Sequence, residues 1–247
     1  MLLVVFLTGL MIGSFLNVII YRLPLNKSII FPSSHCPNCE TKLKYYDLIP
    51  ILSYISTKGK CKYCGEKISL QYPIVELLTA LLFLLTFLKY GLNAEFIIML
   101  IVISSLIIVS FIDLEHQIIP NEITFSLIPL GLVMSVFLNH ISFINSLLGL
   151  VIPVGLLLLI AFIYKKGMGI GDVKLIGMIG VFVGWKYALI SIFIGSLLGS
   201  IYGIFMMATD KMSRKTRIPF GPFISSGAVI MILWGDFLIN WYINIFL

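Results

Sequence analysis

Met168-Gly169-Ile170-Gly171-Asp172-Val173-Lys174 is the stretch on which the reading of this chain turns. An apolar run, 144–164, precedes it and ends in Lys165-Lys166; a second, 173–185, follows it. A carboxylate where a membrane helix begins is costly, which makes Asp172 a functional candidate by default. Gly169 and Gly171 lack Cβ, so the backbone can bend and a second segment can approach closely. A second aspartate, Asp113, closes an earlier apolar run in Phe111-Ile112-Asp113-Leu114-Glu115-His116. The arrangement predicts a fold that brings Asp113 and Asp172 together at one face of a membrane.

The 247 residues are 60% hydrophobic and 11% charged, with a mean hydropathy of +1.09. A soluble domain is nearer about half apolar and about a quarter charged. Several runs reach the roughly 17–25 residues that cross a bilayer. The expected fold class is an all-α polytopic membrane protein of about eight transmembrane helices, with a small cytoplasmic zinc-binding loop domain. Spans are expected over 1–20, 73–90, 95–112, 123–139, 144–164, 173–185, 187–208 and 222–246. The chain divides accordingly into a first transmembrane helix (1–20), a cytoplasmic loop (21–72) and a seven-helix core (73–247).

No Lys or Arg precedes the first run and no small-residue cleavage site follows it, so it reads as a retained anchor rather than a secretory signal. The first basic residue, Arg22, comes after the run, which predicts an outside N-terminus. The inner loops are then 21–72, 113–122, 165–172 and 209–221. Of the 17 Lys and Arg residues, only Lys89 and Lys186 fall away from these loops and their flank at Lys174. That asymmetry sets orientation and places both aspartates at the cytoplasmic face. The net charge of +6 is accounted for by inner loops beside anionic membrane lipid and gives no reason to expect nucleic-acid binding.

The loop 21–72 holds all four cysteines, in Cys36-Pro37-Asn38-Cys39 and Cys61-Lys62-Tyr63-Cys64. Two Cys-x-x-Cys pairs offer the four thiolates that a tetrahedral Zn²⁺ takes. Disulfides are rare in the cytosol, so redox pairing is the weaker reading. A loop of this size has little core, and a structural Zn²⁺ would supply folding energy to it. Four thiolates close the coordination shell, leaving no position for catalysis and no need for His35 as a ligand.

Other residues have plainer readings. Gly9 and Gly13, and Gly195, Gly199 and Gly203, repeat every four residues and predict close helix packing inside one bundle. Gly169-Ile170-Gly171 follows no strand and completes no nucleotide-binding signature. Trp234, Trp241 and Tyr242 fit an outer aromatic belt. Asp236 approaches the outer face and suits packing. Glu76 opens the second span on the cytoplasmic side, where it can help shape the site. Glu115 and Glu122 lie in a polar loop.

Two carboxylates at the cytoplasmic edge are the equipment of an aspartyl protease. Close together they cannot both ionise cheaply, so one proton is shared. The ionised partner takes a proton from water as it attacks a peptide carbonyl, and the other donates to the carbonyl oxygen. Helix dipoles favour charge on Asp172, at a helix start, over Asp113, at a helix end, and so point to Asp172 as base.

With these residues the chain resembles the bacterial type IV prepilin peptidases, membrane aspartyl proteases of the Gly-x-Gly-Asp type. The resemblance runs through Gly13-Ser14-Phe15-Leu16-Asn17-Val18, Tyr21-Arg22-Leu23-Pro24, both cysteine pairs and Tyr72-Pro73-Ile74-Val75-Glu76-Leu77. It continues through Asp113, Ile119-Pro120-Asn121, Gly169-Ile170-Gly171-Asp172-Val173-Lys174-Leu175 and Pro219-Phe220-Gly221-Pro222. One departure is Asn121, where the family often carries Asp. The resemblance implies cleavage of the basic leader of type IV prepilins and pilin-like proteins just after a glycine. It also implies N-methylation of the new terminus with S-adenosylmethionine, since the cysteine tetrad looks like that of the bifunctional members. Two other classes stay open on the residues alone: a carboxylate-based ion-coupled transporter, and a non-catalytic zinc-bearing pilin assembly protein. A transporter would place its carboxylates nearer the bilayer midplane.

Overall fold

The computed structural model describes residues 1–138, 140–163, 169–209 and 218–246. Met168 and the loop cations Lys165, Lys166, Lys211, Arg214, Lys215 and Arg217 lie outside the described residues. The chain divides into two units, Met1–Ile108 and Val109–Leu247.

The first unit carries α1 (Leu2–Arg22), the short α2 (Leu52–Ser56), α3 (Gln71–Tyr90) and most of α4 (Ala94–His116). Long runs of apolar residues make α1, α3 and α4 long enough to cross a membrane. Their ends are set by backbone chemistry. Gly91, at φ 68°, stops α3 and donates its N–H to the Phe87 carbonyl at 2.8 Å. Asn93 Oδ1 then accepts the Phe96 N–H at 2.8 Å and caps the start of α4. The expected small-residue face of α1 packs on α3. A Cβ on Gly9 would lie 2.6 Å from Ala80 Cα, and one on Gly13 would lie 2.7 Å from Glu76 Cα. The side-chain amide of Asn17 donates to the Tyr72 carbonyl at 3.1 Å, pinning the start of α3 to α1.

The second unit holds the end of α4, then α5 (Asn121–Phe137), α6 (Phe143–Ile163), α7 (Ile170–Ala208) and α8 (Gly221–Phe246). Helix α4 runs on to His116, so the connection expected over 113–122 shrinks to 117–120. Nothing halts α4 until Gln117, which takes φ 55° and donates its N–H to the Asp113 carbonyl at 2.9 Å. Asp113 therefore sits in the last turn of α4. Pro120 precedes α5 and has no N–H of its own to donate.

The 39-residue α7 contains both the sixth and the seventh expected spans. Its backbone leaves the helical region at Gly184, with φ 81° and ψ 168°, values open to glycine and strained for other residues. Contacts on either side show that the chain turns back there. Gly235 of α8 lies against Tyr187, while Phe220 and Phe223, at the start of α8, lie against Gly199. The segment after Gly184 thus runs antiparallel to α8 and returns to the end where α7 began. The segment before Gly184 spans about 21 Å by helical rise, which explains why the sixth apolar run is short.

That first segment is the centre of the second unit. Leu175, Ile176, Met178, Ile179 and Val181 are fully buried. A helix apolar all round is a buried helix. Gly149 and Gly180 bring α6 and α7 so close that a Cβ on either would collide with the other's carbonyl. The Ser146 hydroxyl donates to the Val181 carbonyl at 2.6 Å across the same crossing. Gly131 of α5 packs on Val181 and Phe182. Asp172 stands at the head of this tightly held helix. Asp236 on α8 accepts the Tyr187 hydroxyl, a packing role between α7 and α8.

Candidate functional site

Asp113 and Asp172 sit at helix ends of opposite polarity, one in the last turn of α4 and the other in the first turn of α7. Asp113 is 6% exposed, and its Oδ2 accepts the N–H of Gly221 at 2.9 Å in a buried hydrogen bond. The Asp172 N–H donates to the Gly169 carbonyl at 3.1 Å, and Gly169, in extended backbone, caps α7. A Cβ on Gly169 would lie 3.2 Å from Asp172 Oδ2. The two carboxylates lie close enough for the charge on one to bear on the other. The structure therefore brings together the two aspartates that the sequence singled out.

Gly171 faces the Ile119-Pro120-Asn121 connection, and a Cβ on it would lie 3.1 Å from Ile119 Cβ. Lys174 bonds onward from the same segment, donating to Asn121 Oδ1 at 2.9 Å, with its ammonium 5.0 Å from the Phe125 ring centroid. Asn121 thus holds the first cation after Asp172 through a neutral amide.

Glu76 belongs to the first unit. It is 7% exposed, and its Oε2 accepts the Ile51 N–H at 2.7 Å. Ile51 sits at φ 60° and ψ −49°, a strained conformation for a β-branched residue. Glu76 therefore ties a strained point of the loop to α3, a role the sequence did not suggest.

The cysteines lie on two copies of one backbone motif. Cys36 N–H donates to Thr41 O at 3.0 Å and Glu40 N–H donates back to Cys36 O at 2.9 Å. Cys61 N–H donates to Glu66 O at 2.7 Å and Gly65 N–H to Cys61 O at 2.9 Å. Glu40 and Gly65, equivalent in the two copies, both take positive φ, 55° and 76°. Bridges His35 to Lys42 and Lys60 to Lys67 close each turn. The four Sγ atoms lie within 4.8 Å of one another, with Cys36 and Cys64 at 3.9 Å. A tetrahedron of Zn–S bonds near 2.3 Å has S···S edges of about 3.8 Å, so the donor set suits a tetrahedral thiolate metal site.

Hydrogen bonds move two of the sulfurs toward the thiolate, the form a metal takes, while burial and the neighbouring Cys61 and Cys39 sulfurs push Cys64 up to about 11. The Thr41 hydroxyl, 3.3 Å from Cys39 Sγ, and the Thr41 backbone hold Cys39 down at about 6. The Cys64 and Tyr63 backbones lower Cys61. Outside the tetrad, His35 Nδ1 lies 3.0 Å from the Ser33 carbonyl. The Tyr63 hydroxyl donates to Asp47 Oδ2 at 2.8 Å and fastens the second cysteine pair to the neighbouring turn.

Two family models match successive parts of the chain. Residues 7–90 match the model of the Bacterial Peptidase A24 N-terminal domain, and residues 100–204 match that of the Type IV leader peptidase family. The chain is 38% identical to the prepilin leader peptidase/N-methyltransferase of Bacillus subtilis (strain 168), across 99% of this chain and 98% of that protein. It is 35% identical to the protein of the same description from Legionella pneumophila, across 99% and 95%. No solved structure matches it. Two family domains in order, with relatives aligned almost end to end, establish that the chain belongs to the type IV leader peptidase family.

Proposed function

We propose that this multi-pass membrane protein cleaves the leader from type IV prepilins or pilin-like proteins with Asp113 and Asp172, and then N-methylates the new terminus. The observation that carries the reading is the pair of carboxylates at the ends of α4 and α7, that of Asp113 held by the Gly221 N–H and that of Asp172 lying beside Gly169. The relatives' description as peptidase and N-methyltransferase supports both halves.

In this reading the pair shares one proton, because two close carboxylates cannot both ionise cheaply. One removes a proton from water as the water attacks the scissile carbonyl; the other donates to the carbonyl oxygen. The leaving nitrogen takes a proton as the bond breaks, and no Ser or Cys nucleophile is needed. A substrate whose apolar helix lies in the bilayer presents its leader at the membrane edge, where both aspartates lie if the N-terminus is outside. The cytoplasmic orientation rests on the Lys and Arg asymmetry, and the location that follows is the bacterial inner membrane, with lipid as constant partner.

Cys36, Cys39, Cys61 and Cys64 would hold Zn²⁺, which when bound supplies structural cross-linking rather than an activated water, because four thiolates leave no open position. The methyl donor would be S-adenosylmethionine. The described residues form no β-strand beyond isolated bridges, so a sheet-based donor cradle is not what would hold it.

The purified protein, in detergent, should cut a pilin-like peptide carrying a basic leader. Binding without cleavage would instead indicate an assembly role, and neither would point to a transporter.

A further inference from the structure

The first turn of α8 leaves one backbone donor in a particular place. Pro222 has no N–H, and the N–H groups of Phe223 and Ile224 both donate to the Phe220 carbonyl, each at 3.1 Å. Gly221 N–H donates instead to Asp113 Oδ2 at 2.9 Å, from a residue 108 positions away in sequence. The approach is possible only without a side chain. A Cβ at position 221 would lie 2.7 Å from Asp113 Oδ2, 3.2 Å from its Cγ and 3.4 Å from its Cβ. Pro222 fixes the backbone that follows, as proline does in a first helical turn. The start of α8 is therefore seated against one oxygen of the carboxylate.

We infer that Gly221 is a positioning residue for peptide cleavage: its N–H fixes Asp113 Oδ2 and leaves Oδ1 to face the reacting water and Asp172. The inference rests on the peptidase reading. An aspartate carboxylate, free to turn about Cα–Cβ and Cβ–Cγ, otherwise samples orientations in which neither oxygen is aligned, and small misalignments at reacting atoms are expensive. A backbone donor from a packed helix needs no reorganisation as the reaction proceeds.

The test replaces Gly221 by glycolic acid during cell-free synthesis into lipid nanodiscs, which exchanges the N–H for an ester oxygen and adds no side chain. Cleavage of a pilin-like peptide is then followed as kcat and KM separately. Loss of a hydrogen bond to a charged group predicts a fall in kcat of roughly 10- to 100-fold, with KM within about twofold of wild type. Gly221→Ala, which keeps the N–H but crowds Oδ2, should also lose kcat with KM retained. An ester protein that cuts at the wild-type kcat overturns the inference. So does a loss carried by KM alone, which would make Gly221 a substrate contact. Asp113→Asn is assayed alongside. If it cuts normally, the peptidase reading itself fails; if it is inactive while the ester protein is normal, only the role of Gly221 fails.

Discussion

Glu76→Ala removes the acceptor that holds Ile51. In the folded protein Glu76 Oε2 takes the Ile51 N–H at 2.7 Å, and Glu76 is almost fully buried beside α1. Deleting one partner of a buried hydrogen bond costs about 1–3 kcal/mol. Ile51 is only partly buried, so water can replace some of what is lost, and about 1–2 kcal/mol is the fitting range. The strain at φ 60° pulls the same way, since Ile51 relaxes once untied. The result is a local opening of residues 49–56 that is roughly 5- to 30-fold more populated. Hydrogen–deuterium exchange of that segment in detergent should accelerate by the same factor, while exchange within α7 stays unchanged. Glu76→Gln keeps a carbonyl oxygen at nearly the same position and should restore most of the protection. Unchanged exchange over 49–56 in Glu76→Ala would refute the tether.

Gly180→Val places bulk where Gly149 and Gly180 leave no room; it should force α6 and α7 apart and lower thermal stability by at least about 2 kcal/mol, and an unshifted melting temperature would contradict the crossing. Cys61→Ser should lower zinc content from about one ion per chain and impair methyl transfer more than leader cleavage. Full metal occupancy in that variant would remove Cys61 from the ligand set. A cysteine introduced by Lys60→Cys, with native thiols controlled for, should resist a membrane-impermeant label in intact cells and react after lysis; labelling from outside would reverse the orientation.

Local chemistry was easy to read in the sequence. Asp113 and Asp172 were conspicuous because one closes and the other opens an apolar run, and an ionisable group is rare in that setting. The cysteine pairs were legible from their spacing, although their backbone equivalence through Glu40 and Gly65 was not, since spacing does not reveal φ. The short run 173–185 reads correctly as a helix of its own once Gly184 is seen to turn the chain back. Tertiary partners were beyond reach. Nothing in the sequence says that the Gly221 N–H meets Asp113, or that Glu76 meets Ile51. The dipole argument for Asp172 as base counted only the helix on which each aspartate sits. Asp113 ends α4, yet it also lies against the start of α8, a second dipole of opposite sense that the linear order hides.

The central claim is that Asp113 and Asp172 act as one proteolytic pair. Asp113→Asn and Asp172→Asn each keep the side chain's size and remove its ability to exchange a proton. Each variant is reconstituted in the membrane beside wild type and given the same pilin-like peptide, with cleavage followed by mass spectrometry. The account predicts that both variants insert normally and that neither produces the cut peptide. Cleavage at a near wild-type rate by either single variant would contradict it.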